Sequence, residues 1–368
     1  MSLLSLDIAK CVRTTNKFST CQDCVDVCPV QTIQISNNLP SFVPNDCVGC
    51  AGCLSACPDE AYSLDDFSPI NYIFSFLEDK KSIATCKENI PCLAALSVDE
   101  ILSLSLLSEQ KIIFDKFHCQ ACEIAQPNLK IIEDRVEEVN FLLEAMEVEK
   151  SVSFEDVNFC EDDNTKESES SRRDFLSKAN IKDIAKAKHN IQNRVKSLDE
   201  ELKEHNASYQ DIKNIKEKKV PDRRSLLMMA MKRVETPKQF HNLDINDISF
   251  ISQKVIDMES CTNCQMCYRI CPTGALSSNS NGGFIAFDAI NCIKCNSCHE
   301  VCEPNSLVIK PTFSLTQLFT PSREMLAEFS VKRCDECGMP FVHRGGEMMC
   351  HRCKVEEEEA HELWGIKI

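Results

Sequence analysis

The stretch "CVGCAGCLSACP", residues 47–58, places four cysteines at intervals of two, two and three residues and follows the last with a proline. The same spacing returns in "CTNCQMCYRICP" at 261–272 and, with Glu303 in place of the proline, in "CIKCNSCHEVCE" at 292–303. A fourth run, "CVRTTNKFSTCQDCVDVCP" at 11–29, keeps the spacing from Cys21 onward but has nine residues between Cys11 and Cys21. The four runs form two pairs, which predicts two copies of one small module.

This spacing is typical of cysteines that hold cubane [4Fe-4S] clusters, each of which needs four thiolates at the corners of a tetrahedron. Three cysteines two residues apart can wrap around three irons, but the same loop cannot bring its fourth cysteine to the remaining corner. In two-cluster ferredoxins the cysteine before the proline therefore ligates the other cluster. The spacing gives three sets directly and subtraction gives the fourth: Cys47, Cys50 and Cys53 with Cys28; Cys261, Cys264 and Cys267 with Cys302; Cys292, Cys295 and Cys298 with Cys271; Cys21, Cys24 and Cys57 with Cys11.

These runs resemble those of bacterial two-[4Fe-4S] ferredoxin domains, over residues 1–66 and 251–312, about a third of the chain. The resemblance implies a polyferredoxin that carries single electrons. Zinc is the alternative for an isolated C-x2-C pair, but repeated three-cysteine runs favour clusters. The sequence departs from the ferredoxin pattern at two positions. The position of Cys11 leaves open a [3Fe-4S] or labile cluster, whereas Glu303 matters little because Pro304 follows.

The fold class expected for the whole chain is α+β. Short β-type runs and turns within each ferredoxin-like module predict hairpins around a small core. Residues 67–150 predict a βαβ-like unit, in which "SIATC" and "KIIFDKFHC" are strands and a helix lies between them. Each strand ends near a cysteine pair. For this set, Cys86, Cys92, Cys119 and Cys122, three alternatives stay open: a further iron–sulfur cluster, a redox-active or structural thiol set, or zinc.

The C-terminal region, residues 313–368, contains "CDECGMPFVHRGGEMMCHRC". Its C-x2-C-x12-C-x2-C spacing and its glycines resemble a zinc ribbon, which implies a zinc site formed by Cys334, Cys337, Cys350 and Cys353. A rubredoxin-like iron or another cluster is the alternative. These sets account for 24 of the 25 cysteines and leave Cys160 as a free thiol.

Between the modules, residues 151–171 predict an acidic linker and residues 172–250 a charged helical segment. "SRRDFLSK" at 171–178 matches the core of a twin-arginine export signal, and "PDRRSLLMMAMK" at 221–232 is a weaker echo. Export is not expected, because Arg172 and Arg173 lie far from the N-terminus and no apolar segment follows them. A helix start is one interpretation of the first motif, and a resemblance to accessory ferredoxins of the nitrate-reductase type is the other.

Composition and charge limit the classes of protein to which this chain can belong. The first residues lack a secretory pattern, so 25 cysteines favour bound metal in a cytoplasmic protein over disulfides. No stretch reaches the roughly 18 to 20 apolar residues of a membrane span. A formal charge of −16 argues against nucleic acid and for basic surfaces on protein partners. Nine glycines include no nucleotide-binding fingerprint, and no nucleophile–base constellation is evident.

The leading hypothesis is therefore a cytoplasmic carrier with four [4Fe-4S] clusters and zinc, rather than a catalyst on its own. Its expected partners are redox enzymes or their subunits, such as a formate dehydrogenase, a hydrogenase or another molybdenum or nickel enzyme. The alternative is a maturation or assembly factor for such an enzyme. A redox-sensing regulator is a third class, which the acidic "VEEEEAHE" beside the C-terminal cysteines disfavours.

Overall fold

The computed structural model describes residues 4–157 and 217–364. Most of the predicted acidic linker and charged helical segment, including Arg172, Arg173 and Cys160, lies outside the described residues. Within the described ranges, no helix combines the length and the apolar character that a bilayer span needs. The mixture of short helices and small sheets is compatible with the α+β class expected from the sequence.

The first module is built from a pair of terminal strands that enclose a hairpin. Strand β1 (Leu4–Leu6) pairs antiparallel with β4 (Tyr62–Leu64), and β2 (Ile33–Ser36) pairs with β3 (Leu39–Phe42). The two residues between β2 and β3, Asn37 and Asn38, both have positive φ, which suits a tight two-residue hairpin turn. Three short helices complete the module: α1 (Val12–Thr15), α2 (Asp23–Asp26) and α3 (Gly52–Ala56).

The middle unit is a three-stranded parallel sheet in the order β5 (Ile83–Ala84), β6 (Ile112–Asp115) and β7 (Val152–Glu155). Helix α5 (Val98–Leu107) lies between the first two strands, begins at a capping box formed by Ser97 and Glu100 and is buried along nearly its whole length. The sequence predicts an acidic linker from residue 151, but residues 152–155 form the third strand, along which Val152 and Phe154 occupy alternate positions. The unit also contains α4 (Pro69–Glu78) and α6 (Ala125–Ala145).

After the undescribed segment the chain returns at residue 217 and forms helix α7 (Asp222–Met231). Its apolar face, with Leu226 and Leu227 fully buried, packs against α5 of the middle unit. This helix starts directly after Pro221, whose fixed φ suits a helix start. Helix α7 therefore belongs to the folded core.

The second module repeats the topology of the first. Terminal strands β9 (Lys254–Ile256) and β12 (Leu307–Ile309) pair antiparallel and enclose the hairpin of β10 (Leu276–Ser277) and β11 (Phe284–Asp288). Helices α8 (Met266–Ile270) and α9 (Ser297–Glu300) lie within the cysteine runs and each contains the third cysteine of its run, as α2 and α3 do in the first module. The added elements are β8 (Asn242–Asp244), which falls in the predicted helical segment and pairs with β13 (Thr312–Ser314), α10 (Thr316–Phe319), and β14 (Arg323–Glu328), which joins β11.

The C-terminal region consists of a small hairpin and a helix. Strands β15 (Val331–Arg333) and β16 (Pro340–Val342) pair antiparallel, and α11 (His351–Trp364) follows them. The division of the chain into six domains remains a prediction.

Candidate metal centres

One cavity in the first module is lined by four cysteines that the spacing assigns to a single cluster. These are Cys28 from the first run and Cys47, Cys50 and Cys53 from the second. The other lining side chains are mostly apolar, among them Leu4, Ile33 and Leu64. Four thiols around a largely apolar cavity suit the donor set of a cubane cluster.

A second cavity of the first module is lined by Cys11, Cys21, Cys24 and Cys57. The backbone N–H of Ala61 donates to Sγ of Cys57 at 3.3 Å. The long interval of the first run forms α1 and the turn after it, which brings Cys11 to the same cavity as Cys21 and Cys24. The structure thus groups these four cysteines as the subtraction argument did.

The three regular runs share one backbone conformation, in which the residues two and four positions after the first cysteine have positive φ. Such alternation turns successive peptide N–H groups toward one side of the loop, as in the anion-binding nests of other proteins. The first run lacks the pattern, since Gln22 has a φ of −138°. The positive-φ positions are Gly49 and Ala51, Asn263 and Gln265, and Lys294 and Asn296.

The turn after the last cysteine is the same in all four runs. The residue three positions later has positive φ and donates its N–H to the carbonyl of that cysteine. This includes the run in which Glu303 replaces the proline, where Asn305 donates to Cys302 at 2.8 Å. In the other runs the donors are Gln31 to Cys28, Glu60 to Cys57 and Gly274 to Cys271.

In the second module the two predicted sets also lie together. Burial, with the neighbouring Cys264, Cys261 and Cys302, raises the pKa of the Cys267 thiol to about 12. Burial, with Cys292 and Cys271, likewise raises the pKa of Cys295 to about 12, and Cys298 shifts in the same direction beside the same residues. Thiols with such pKa values stay protonated at neutral pH unless a cation binds them, so metal binding would release protons.

Polar groups surround the Cys292 set. The Ser252 hydroxyl lies 3.4 Å from Sγ of Cys292, and Nζ of Lys254, which is only 2% exposed, lies 2.8 Å from Nε2 of His299. Burial, and to a smaller extent the nearby Lys254, lowers the pKa of His299 to about 4, so the imidazole ring is neutral. Its Nδ1 lies 2.9 Å from the carbonyl oxygen of Leu307. Lys254 also opposes the raised pKa of Cys298. A buried cation beside this set would favour the extra electron of a reduced cluster.

The middle unit brings its own two cysteine pairs together. Because carboxyl ends of parallel strands meet at one sheet edge, Cys86 and Cys92 after β5 approach Cys119 and Cys122 after β6. The Thr85 hydroxyl donates to Asp115 at 2.8 Å and ties the two strand ends. Burial, with Cys86 and Cys122, raises the pKa of Cys119 to about 11.

This middle set also borders the first module. Burial, together with Cys50, Cys119 and Cys86, raises the pKa of Cys92 to about 11. The side-chain nitrogen of Asn128, a residue only 3% exposed, donates to Sγ of Cys92 at 3.7 Å. The same side chain lowers the pKa of Cys50, which burial raises. Asn128 therefore lies between a cysteine of each set.

The four C-terminal cysteines are more closely spaced than the other sets. Their sulfur atoms all lie within 4.8 Å of one another, and in the described ranges no other group of three or more His, Cys, Asp or Glu side chains is so compact. A tetrahedral zinc ion with Zn–S bonds of about 2.3 Å holds its sulfurs about 3.8 Å apart. The 3.7 Å between Sγ of Cys337 and Cys350 suits a single ion of that size. N–H groups of Cys337 and Cys350 lower the pKa of Cys334 to about 6.

Comparison with known proteins adds one match. The family model of 4Fe-4S dicluster domains matches residues 260–307, which contain Cys261 to Cys302 of the second module. No solved structure matches the chain. The matched segment and the many cysteines support an iron–sulfur protein that binds [4Fe-4S] clusters.

Several side chains around these sites carry no signal in the sequence. Lys254, Asn128, Arg223 and Arg224 lie outside the cysteine runs, in segments without a recognisable motif apart from the arginine pair. Their positions depend on contacts between residues far apart in the chain, so spacing alone could not find them.

Proposed function

We propose that this chain is a multi-cluster electron carrier with four [4Fe-4S] clusters in two ferredoxin-like modules. The observation that carries the proposal is the pair of cavities in the first module, each lined by four cysteines from two different runs. The family match covers only the second module, and the repeated topology extends the interpretation to the first.

In this proposal each cluster supplies single-electron transfer, and the protein holds the clusters and sets their potentials. The cysteines bind the irons, while apolar lining such as Leu4 and Ile33 limits access of water. N–H and hydroxyl donors to sulfur, such as Ala61 and Ser252, and the buried Lys254 stabilise added negative charge.

We extend the proposal to the two remaining cysteine sets. The middle set of Cys86, Cys92, Cys119 and Cys122 suits a fifth iron–sulfur cluster, because its four thiols converge beside Cys50 of the first module. The C-terminal set of Cys334, Cys337, Cys350 and Cys353 suits zinc, because its spacing fits one tetrahedral ion.

The proposed partners are redox enzymes or their subunits, of the formate dehydrogenase or hydrogenase type. A net charge of −16, made more negative by thiolate-bound clusters, favours docking on basic protein surfaces. Unpaired thiols in this number fit a reducing compartment such as the cytoplasm.

Metal and sulfide analysis of anaerobically purified protein tests the cofactor content. Four cubanes require about 16 irons and as many sulfides per chain, and a fifth raises both to about 20. One zinc per chain is expected in addition. Electron paramagnetic resonance (EPR) of the reduced protein should account for the same number of clusters, and iron far below 16 per chain would contradict the proposal.

A further inference from the structure

Contacts between the two modules converge on two of the four cluster sites. Arg223 of helix α7, only 5% exposed, reaches into the first module. Its guanidinium donates to the carbonyl oxygens of Ser55 at 2.8 Å and of Cys57, and it pairs with Glu60 at 3.3 Å. Backbone N–H groups at the start of α7 donate to the same Glu60 carboxylate at 2.8 and 2.9 Å.

The next residue, Arg224, reaches into the second module and is only 1% exposed. Its guanidinium donates to the carbonyl oxygens of Ile290 and Cys292, each at 2.8 Å, and of Phe250 at 2.9 Å. It is also ion-paired with Asp99 of the middle unit at 2.6 Å. Arg223 and Arg224 are consecutive, so their Cα atoms are about 3.8 Å apart. One turn of α7 therefore contacts the backbone of a predicted ligand cysteine in each module, Cys57 in the first and Cys292 in the second.

A second, independent contact joins the same two sites. The long loop between Cys11 and Cys21 docks on Glu300, which follows Cys298 by two residues. The side-chain nitrogen of Asn16, a residue 1% exposed, donates to Glu300 at 2.7 Å. The backbone N–H and the hydroxyl of Thr20 each lie 2.7 Å from its other carboxylate oxygen. The insertion that makes the first run irregular is thus the surface that meets the second module.

We propose that electrons cross between the modules from the cluster of Cys11, Cys21, Cys24 and Cys57 to the cluster of Cys271, Cys292, Cys295 and Cys298, or in reverse. This inference rests on the proposed electron-transfer function. One cluster loses one electron and the other gains it, and no bond changes. We call these two sites the inner sites. Arg223, Arg224 and Glu300 act as positioning residues that hold them as neighbours.

The other two sites, which we call the outer sites, face different parts of the chain. The Cys28, Cys47, Cys50 and Cys53 site borders the middle unit through Asn128. The Cys261, Cys264, Cys267 and Cys302 site borders the C-terminal hairpin, where Arg344 donates to the carbonyl oxygens of Glu259, at 3.2 Å, and of Cys261. The path through the chain is therefore linear, with the inner sites at its centre.

The arginine pair also acts on the inner clusters through its charge. Reduction adds a negative charge to a cluster, and a buried guanidinium beside the cluster's ligands stabilises that charge. Arg224 therefore raises the reduction potential of the Cys292 inner cluster. Arg344 also donates to a ligand cysteine, Cys261, but it is exposed, so solvent screens its charge and its effect on the Cys261 outer cluster should be smaller. It provides a control at the other module surface.

The first test compares two double variants of a full chain that also carries Cys119→Ser, which removes the proposed middle cluster beside the Cys50 site, so that each variant has one cluster per module. Cys50→Ser with Cys264→Ser leaves the inner pair, and Cys24→Ser with Cys295→Ser leaves the outer pair. Each should retain about 8 of the irons in these modules. Magnetic interaction between the reduced clusters, measured by EPR, should be strong in the inner-pair variant and weak in the outer-pair variant. Equal interaction, or a stronger one in the outer pair, would overturn the inference.

The second test applies where a double variant loses both of its clusters. In the otherwise unaltered chain, Arg224→Gln should lower the potential of the Cys292 inner cluster, and Arg224→Lys should restore most of it. Arg344→Gln should shift only the Cys261 outer cluster. Potentials come from EPR-monitored redox titration, with iron content confirming that all clusters remain. A uniform shift of every cluster by Arg224→Gln, or none, would overturn the inference. Clusters absent from the unaltered chain would instead overturn the proposed function.

Discussion

The guanidinium of Arg224 lies 2.6 Å from the carboxylate of Asp99, and both side chains are almost fully buried. This ion pair joins α7 to α5, and because the same guanidinium donates to the carbonyl oxygens of Ile290 and Cys292, it connects the second module to the middle unit. Replacing Asp99 by Asn leaves a buried guanidinium without its counter-charge. Removing one partner of a buried pair is expected to destabilise the fold by about 3–5 kcal/mol.

The denaturant midpoint of the iron-loaded protein measures this effect. Asp247→Asn removes the same charge from an exposed position on the segment that follows β8 and serves as the control. A midpoint for Asp99→Asn equal to that of the control would contradict a stabilising role for the pair.

The pH dependence of stability should depend on Glu138. Burial raises its pKa above the usual 4.5, although the Ser249 N–H donates to it at 2.7 Å. Because the folded pKa is the higher one, the contribution of Glu138 to stability is fully present below 4.5 and is lost as the pH rises through the folded pKa. Glu138→Gln keeps an acceptor for Ser249 and removes the charge, so it should raise the thermal midpoint at neutral pH.

The gain from Glu138→Gln should shrink as the pH is lowered toward the usual pKa of glutamate. Thermal midpoints of the two proteins across that range provide the measurement. Glu144→Gln, on the same helix, is the control and should show no such trend. A gain that is independent of pH would mean that the charge of Glu138 is not the cause.

A substitution of Cys11 tests whether this residue of the irregular run is a cluster ligand. Cys11→Ser removes one corner of the inner site in the first module and should spare the other three clusters of the two modules and the middle cluster. Iron content should fall by about one cubane's four irons, or by one where a three-iron cluster survives with its own EPR signal. Cys160→Ser is the control and should leave the iron content unchanged. If both clusters of the first module survive Cys11→Ser intact, the assignment of the far ligand is wrong.

The fifth cluster site has its own prediction. Cys119→Ser should remove the middle cluster alone, lowering iron by about four per chain. Asn128→Leu should leave that cluster in place but slow electron exchange between it and the first module, since Asn128 lies between Cys92 and Cys50. Unchanged iron in Cys119→Ser, together with four titratable thiols at this set, would favour a thiol site instead.

The cysteine sets could be proposed from the sequence because their logic is local. Intervals of two and three residues fix how far each thiol reaches, and in the first module eight cysteines line two cavities in the predicted sets of four. Their ligation of clusters remains a prediction. The same reasoning explains the convergence after β5 and β6, since parallel strands end at one edge.

The joining of the modules could not be predicted in this way. Arg223 contacts Cys57, which is 166 residues away in the sequence, and Asn16 contacts Glu300, which is 284 residues away. No local sequence pattern predicts contacts at such separations. "PDRRSLLMMAMK" is a weak match to an export motif because it contains two adjacent arginines, and this pattern does not indicate that both side chains are buried. Their burial follows from carbonyl acceptors that only the folded modules supply. Strand β7 could not be predicted either, because the acidic residues that follow it indicate a linker and the predicted linker includes the strand.

The central claim is that the chain carries electrons, and the most direct measurement is its turnover with a partner enzyme. Stopped-flow spectroscopy would follow the clusters of the full chain while a candidate formate dehydrogenase or hydrogenase reduces them and an acceptor reoxidises them. We predict that reduction and reoxidation keep pace with catalysis, and that the Arg224→Gln variant does so more slowly. Clusters that stay oxidised while the enzyme's activity still depends on this protein would contradict electron transfer and favour an assembly factor.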